Sequence, residues 1–201
     1  MLKKTEFKKM RVAFNSYATI RRDIIKYAGD AQHHAKRAIF EIHAGNLSAA
    51  KKKLDESEKI LKMIQKKYKK NERALHEGVY KEGLEEYIEA ALLYQFVTSG
   101  KMEKLKNMPI SDSVFLAGLS DVPGELLRYA IKAATNGDEK MVEKCVAAGK
   151  EIVGELIEFH FTKYLRNKFD QAKSAVRKLE TISYELSLKK YASLSRVQLS
   201  T

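Results

Sequence analysis

Apolar residues fall at Phe7, Met10, Phe14, Tyr17, Ile20, Ile24, Tyr27, Ala31, Ala35, Ala38 and Ile42, always three or four positions apart. No other feature constrains the fold as strongly. A helical period held over nearly 40 residues predicts one long amphipathic helix, with a single stripe to bury and the rest solvated. Gly45, in the His-Ala-Gly-Asn run at 43–46, supplies its C-terminal stop. Leu47, Ala50, Leu54, Ile60, Leu61, Ile64 and Tyr68 repeat the pattern over 47–70. Two long helices joined by so short a turn form an antiparallel hairpin. The two prolines, at 109 and 123, leave both helices uninterrupted.

The same reading places a third helix over 72–99, stopped by Gly100, and then an irregular stretch over 101–113 containing Pro109. A fourth helix runs over about 114–135 and stops at Asn136 and Gly137. A fifth, capped by Asp138, reaches about 164, and a sixth spans about 170–194 with a tail expected to fray. No segment reads as a strand, so the fold class is all-α. With no fixed-period repeat or low-complexity linker, the expectation is a single domain over 1–201. Within it, 1–70 is a basic helical hairpin and 71–201 carries the carboxylates.

Charge divides the chain in the same place. Residues 1–70 hold 19 Lys and Arg against 7 Asp and Glu, whereas 71–201 hold 19 of each. All of the net +12 therefore sits in the first third. A field of that sign attracts phosphate backbones by counterion release, although lysine-rich helix faces also serve simply as solvated surface. The longest apolar run, 90–97, is far short of the roughly 20 residues a membrane span needs. No hydrophobic stretch follows the N-terminal lysines, so no signal peptide is read. A single cysteine, Cys145, points to a reducing compartment and to a small core residue rather than a catalytic thiol. The expected location is cytoplasmic, with no membrane partner.

Four carboxylates stand out by position. Glu82, Glu86 and Glu89 share one narrow face of the third helix, which then becomes apolar all round from Ala90 to Tyr94. The acidic stripe thus leads toward the interior, where an unpaired carboxylate is costly and a cation beside Glu86 and Glu89 is favoured. On the fourth helix Asp121 and Glu125 project together among leucines, with Pro123 and Gly124 between them expected to kink or loosen that helix. Two acidic pairs suit hard, oxygen-seeking ions such as Mg²⁺ or Mn²⁺, which activate water and stabilise charge on a phosphodiester. From spacing alone, a solvated Glu-x-x-Glu face and an Asp121 helix cap are the commoner explanations.

Other constellations carry less. Glu-x-x-His motifs for a di-iron bundle are absent. Asp30, His33 and His34 share a face that reads as surface polarity before metal ligation. Glu155, Glu158 and His160 lack a converging spacing, and no phosphate-cradling glycine loop or nucleophile elbow is present.

At the two acidic segments the sequence resembles the translin family, and its catalytic branch, translin-associated factor X, more than translin itself. The resemblance covers most of the chain. It includes Arg22 and Asp23, the run Ala-Lys-Arg-Ala-Ile-Phe-Glu-Ile-His at 35–43, the Asn-Gly-Asp stop at 136–138, and Leu-Glu-Thr-Ile-Ser-Tyr-Glu-Leu at 179–186. The run Gly-Leu-Glu-Glu-Tyr-Ile-Glu-Ala at 83–90 is similar to the branch's Gly-Leu-Gln-Glu-Tyr-Val-Glu-Ala. Asp-Val-Pro-Gly-Glu-Leu-Leu-Arg at 121–128 is similar to its Asp-Leu-Thr-Gly-Glu-Leu-Met-Arg, with Pro123 as a departure.

The resemblance implies that Glu86, Glu89, Asp121 and Glu125 are catalytic, metal-binding carboxylates. It implies a bundle of about seven helices, assembled into a closed, roughly octameric shell that encloses RNA. The activity implied is that of a Mg²⁺- or Mn²⁺-dependent endoribonuclease. The partners expected are single-stranded or short duplex RNA, with single-stranded DNA as a further candidate. The alternative is a non-catalytic shell that binds single-stranded RNA or DNA. Lys66, Lys67, Lys70 and Arg73 are the favoured phosphate contacts, without base-specific reading. The short, Lys- and Glu-rich chain suits an archaeal homo-oligomer.

Overall fold

The computed structural model describes residues 3–106 and 108–198, with side chains described as far as Lys189. Among these residues there are seven helices and no strand. They are α1 (Lys4–Ala44), α2 (Leu47–Lys67), α3 (Glu72–Leu75), α4 (Gly78–Ser99), α5 (Asp112–Thr135), α6 (Glu139–Ile157) and α7 (Lys163–Gln198). They fall into two compact units, Met1–Ala90 and Ala91–Thr201, with the boundary inside α4.

In the first unit, α1 packs along α2. The seam on α1 is a run of small residues, Ala28, Ala31, Ala35 and Ala38, all fully buried. Small side chains let backbones approach, and the fully buried Ser57 of α2 donates its hydroxyl to the Ala31 carbonyl across 2.9 Å. A Cβ added at Gly83 of α4 would lie 3.2 Å from the Ala28 carbonyl oxygen, a tight contact with backbone that favours glycine here. Leu61 and Ile64 are fully buried and complete the core of the hairpin. α1 ends as expected, with Gly45 left-handed at φ 87° and its amide bonded to the Ile42 carbonyl at 3.0 Å.

The third helix read from periodicity, 72–99, is two helices. Asn71 caps α3 by accepting from the Ala74 amide at 3.1 Å, and the chain breaks at His76 and Glu77 before α4 begins. The apolar period runs through the break because Ala74 and Tyr80 are both buried on either side of it. This division supplies the seventh helix that periodicity alone does not give.

In the second unit α5, α6 and α7 pack against one another around Val122, Leu126, Val142, Cys145, Leu156 and Leu179. Burial raises the Cys145 thiol to about 12, in keeping with a core residue. Asp138 caps α6 by accepting from the Met141 amide at 3.0 Å. α6 stops at Ile157 rather than near 164, and α7 starts at Lys163 rather than near 170. The turn between them passes through Lys163 at φ 49°, the only non-glycine residue with positive φ among those described. α7 continues past the expected end at 194 to Gln198; the remainder of the tail, 199–201, lies outside the described residues, as do Met1 and Leu2 of the N-terminus read above.

Pro123 neither caps nor ends a helix. α5 runs through it, with Pro123 buried and Asp121 in the helix interior. The amide that proline lacks would have bonded the Leu119 carbonyl one turn back. Gly124 follows with open space around it.

Candidate functional site

The acidic stripe of α4 behaves as its pattern suggests. Glu82 is exposed, Glu86 and Glu89 are half-buried, and Ala90, Ala91, Leu92 and Leu93 beyond them are buried. Glu86 retains 18 % of its side-chain exposure, and its Oε2 lies 3.7 Å from the Lys36 ammonium of α1. One further carboxylate is more deeply placed than either, since Glu85 is 7 % exposed. It lies three residues after Glu82 and four before Glu89, at the edge of the same face.

In the second unit, Asp121 keeps 26 % of its exposure and forms an ion pair with Lys168 of α7, itself only 14 % exposed. Glu125 keeps 21 % and lies 3.7 Å from Arg128 one turn along α5. Glu86, Asp121 and Glu125 are therefore each partly withdrawn from water, beside a cation from their own unit. Of these cations, Arg128 is readable at i+3 from Glu125. Lys36 and Lys168 are about 50 positions away from their partners and leave no local signal.

Each pair presents hard carboxylate oxygens, the donor type that Mg²⁺ and Mn²⁺ take. No group of three or more His, Cys, Asp or Glu side chains among the described residues is arranged to hold a metal ion. The donor chemistry fits such ions where water and substrate phosphate complete the coordination, as is usual for Mg²⁺ held by one or two carboxylates. Two open grooves of about 410 and 480 Å³ in the second unit meet at Gly100. Neither is lined by any of the four carboxylates.

Lys66, Lys67, Lys70 and Arg73 are all exposed, and two of them are held in place. Lys67 lies 2.7 Å from Asp23 Oδ2 and over the rings of Tyr27 and Tyr68, at 5.3 and 5.2 Å. Tyr68 donates to the same Asp23 oxygen at 2.9 Å. The hydrogen bond from Lys67, then that from Tyr68, holds the Asp23 carboxyl below the usual range, and Asp23 in turn raises Lys67. The Arg73 guanidinium stacks on Tyr17 at 3.7 Å, while Tyr17 donates to Glu77 and Arg21 bonds Glu77 at 3.2 Å. These contacts tie the outer half of α1 to α2 and to the α3 region. In the histidine cluster His33 is exposed and His34 half-buried: His34 Nδ1 lies 3.0 Å from Glu56, and the His33 ring meets that of His34 at 6.1 Å.

The fold and sequence agree with known proteins over nearly the whole length. An uncharacterized protein of Methanocaldococcus jannaschii is 27 % identical over 192 residues, covering 90 % of this chain and 83 % of that one. The crystal structure of AfC3PO superposes with a TM-score of 0.83 at 22 % identity, covering 92 % of this chain and 99 % of the other. AfC3PO in complex with duplex RNA gives 0.81 at 22 %, covering 92 % and 98 %, and apo-NeC3PO gives 0.80 at 19 %, covering 92 % and 97 %. At these identities the structures establish the fold alone. The model of the Translin family matches residues 19–190, which is most of the chain and includes both acidic segments. The chain is a member of the Translin family.

Proposed function

We propose that this protein is a metal-dependent endoribonuclease that assembles from several copies, as an octamer-like shell, and acts on RNA. The observation that carries the reading is the pair of half-buried acidic motifs, Glu86 with Glu89 and Asp121 with Glu125, in a Translin-family chain. Bound Mg²⁺ or Mn²⁺ would supply water activation and charge neutralisation at the scissile phosphate. Glu86 and Glu89 in the first unit, and Asp121 and Glu125 in the second, are the residues that would hold the ions and orient the attacking water. Lys36, Lys168 and Arg128 stand beside Glu86, Asp121 and Glu125 respectively and balance their charge.

The basic first third supplies sequence-independent affinity for the RNA backbone, single-stranded or short duplex, and by the same chemistry for single-stranded DNA. One similar protein, AfC3PO, has been described bound to duplex RNA, which supports RNA as the substrate class. Lys66 and Lys70 are exposed for phosphate contact, and the anchored Lys67 and Arg73 present fixed positive charge.

A second reading, a non-catalytic shell binding single-stranded RNA or DNA, is favoured by one observation: Glu86, Asp121 and Glu125 each already have a cation beside them. The two readings separate on incubation with end-labelled single-stranded RNA with and without Mn²⁺. The enzyme cuts only with metal, and Glu86→Ala binds RNA without cutting it. Salt-sensitive binding that leaves RNA intact with every divalent metal tried would leave only the shell.

A further inference from the structure

The turn between α6 and α7 carries an aromatic ladder that the proposed chemistry does not use. Phe159 is 48 % exposed, and its ring lies parallel to that of Phe161, with centroids 5.4 Å apart and 7° between planes. Phe161 leans on Phe169 at 5.9 Å, and Phe169 is buried in the second unit at 5 % exposure. The ladder thus runs from the core outward and ends in a ring whose outer face meets solvent. Five residues along the chain from Phe159, Tyr164 is 53 % exposed with the Lys168 ammonium 5.2 Å from its centroid. Lys173 and Arg166 sit at 4.7 and 6.0 Å from the Phe169 ring, and Lys163 is exposed at the start of α7.

An exposed ring is common, but an exposed ring fixed in a stack, with cations at the Phe169 end of the ladder and beside Tyr164, is a different object. Bases stack on aromatic faces whatever their identity, while neighbouring Lys and Arg neutralise the connecting phosphates. A ring already stacked on a neighbouring ring loses little freedom when a base is added. The cores of protein–protein contacts are depleted in lysine, whereas here three lysines and an arginine stand within or beside the aromatic set.

We infer that Phe159, backed by Phe161 and Phe169, is a stacking platform for an unpaired base of single-stranded RNA, with Tyr164 as its neighbour. The inference rests on the RNA-binding reading above and adds to it a base-contacting surface of no sequence preference.

The test uses the full chain in EDTA, so that cleavage is suppressed, with oligo-adenylate and an abasic strand of the same length and charge. Wild type binds the base-bearing strand about tenfold more tightly or better. Phe159→Ala loses that preference while its affinity for the abasic strand is unchanged. Because the chain contains no tryptophan, Phe159→Trp places a lone reporter on the ladder. Its emission is quenched by oligo-adenylate and not by the abasic strand, and this variant keeps the ladder intact should Phe159→Ala fold poorly. Equal wild-type affinity for the two strands, or a preference that survives Phe159→Ala, overturns the platform while leaving RNA binding in place. A sedimentation mass that drops in Phe159→Ala with RNA preference intact overturns it in favour of a contact between copies. Failure of both strands to bind at low salt removes the RNA-binding reading itself, and the platform with it.

Discussion

The first unit packs α2 against a seam of alanines on α1, whereas the second packs three helices against one another, and the contrast bears on what each is suited to do. Along α1 the seam against α2 is Ala28, Ala31, Ala35 and Ala38, and the outward faces are dense in lysine and arginine. From Lys3 to Ser16 every side chain of the arm is exposed, including Phe7, Met10 and Phe14. The second unit instead encloses Val122, Leu126, Val142, Leu156 and Leu179 among three mutually packed helices. Polar anchoring follows the same division. In the first unit, Asp23 and Glu77 fasten Lys67, Tyr68, Tyr17 and Arg21 at the surface. In the second, the ion pair of Lys168 and Asp121 is partly withdrawn from solvent. A charged hairpin presents a field; three mutually packed helices hold groups in place.

Four experiments press on this contrast. The largest effect is expected at the carboxylates, where Glu89→Gln and Glu125→Gln each lower the single-turnover cleavage rate by at least about a hundredfold. Filter binding of the same RNA stays within a fewfold of wild type. If only one of the two variants loses activity, the carboxylates of one unit suffice and the proposed sharing is wrong.

Leu61→Ala and Leu126→Ala each remove a fully buried side chain, one from each unit. Each is expected to cost about 2–5 kcal/mol in urea denaturation, with the smaller value where neighbours collapse into the void. The glycines sharpen the comparison further. A Cβ at Gly83 meets a backbone oxygen at 3.2 Å, whereas one at Gly149 meets the ends of Leu179 and Val176 at 3.1 and 3.2 Å. Side-chain ends yield more readily than a helix backbone. Gly83→Ala should therefore destabilise by about 1–3 kcal/mol. Gly149→Ala should be near neutral, because the gain in helix propensity of about 1 kcal/mol offsets the crowding. Equal effects at the two sites would contradict the packing described for α1 and α4.

The smallest effect concerns pH. The carboxyl of Asp23 is held below its ordinary range by Lys67 and Tyr68. Its contribution to stability is therefore present above the unfolded carboxylate value of about 4 and is lost as pH falls through the lower folded value. The difference in thermal midpoint between wild type and Asp23→Asn should shrink from pH 7 toward pH 3. A difference that grows on acidification would reverse the assigned sign.

How much of this was legible follows from where each signal resides. The length of α1, its stop at Gly45, the cap at Asp138 and the burial beyond Glu89 are all written in contiguous residues, and periodicity finds them. The break between α3 and α4 was hidden because Ala74 and Tyr80 keep apolar spacing across it. The end of α6 was hidden for a related reason: the aromatic run from Phe159 to Tyr164 looks like more helix face, yet its rings stack on one another in a turn. Pro123 was expected to kink or loosen α5; the helix continues through it from Asp112 to Thr135. The acidic pairs were visible by spacing, and resemblance gave them meaning. Lys36 and Lys168 were beyond reach, since only the tertiary fold brings them to Glu86 and Asp121.

The central claim is that carboxylates of both units are needed for metal-dependent cutting of RNA. The most direct measurement is the single-turnover cleavage rate of one labelled RNA in Mn²⁺ by wild type, Glu86→Gln and Asp121→Asn, at saturating protein. The account predicts cleavage by wild type, abolished by EDTA, and none detectable in either variant although both still bind. Cleavage at the wild-type rate by either variant, or by wild type in EDTA, would contradict it.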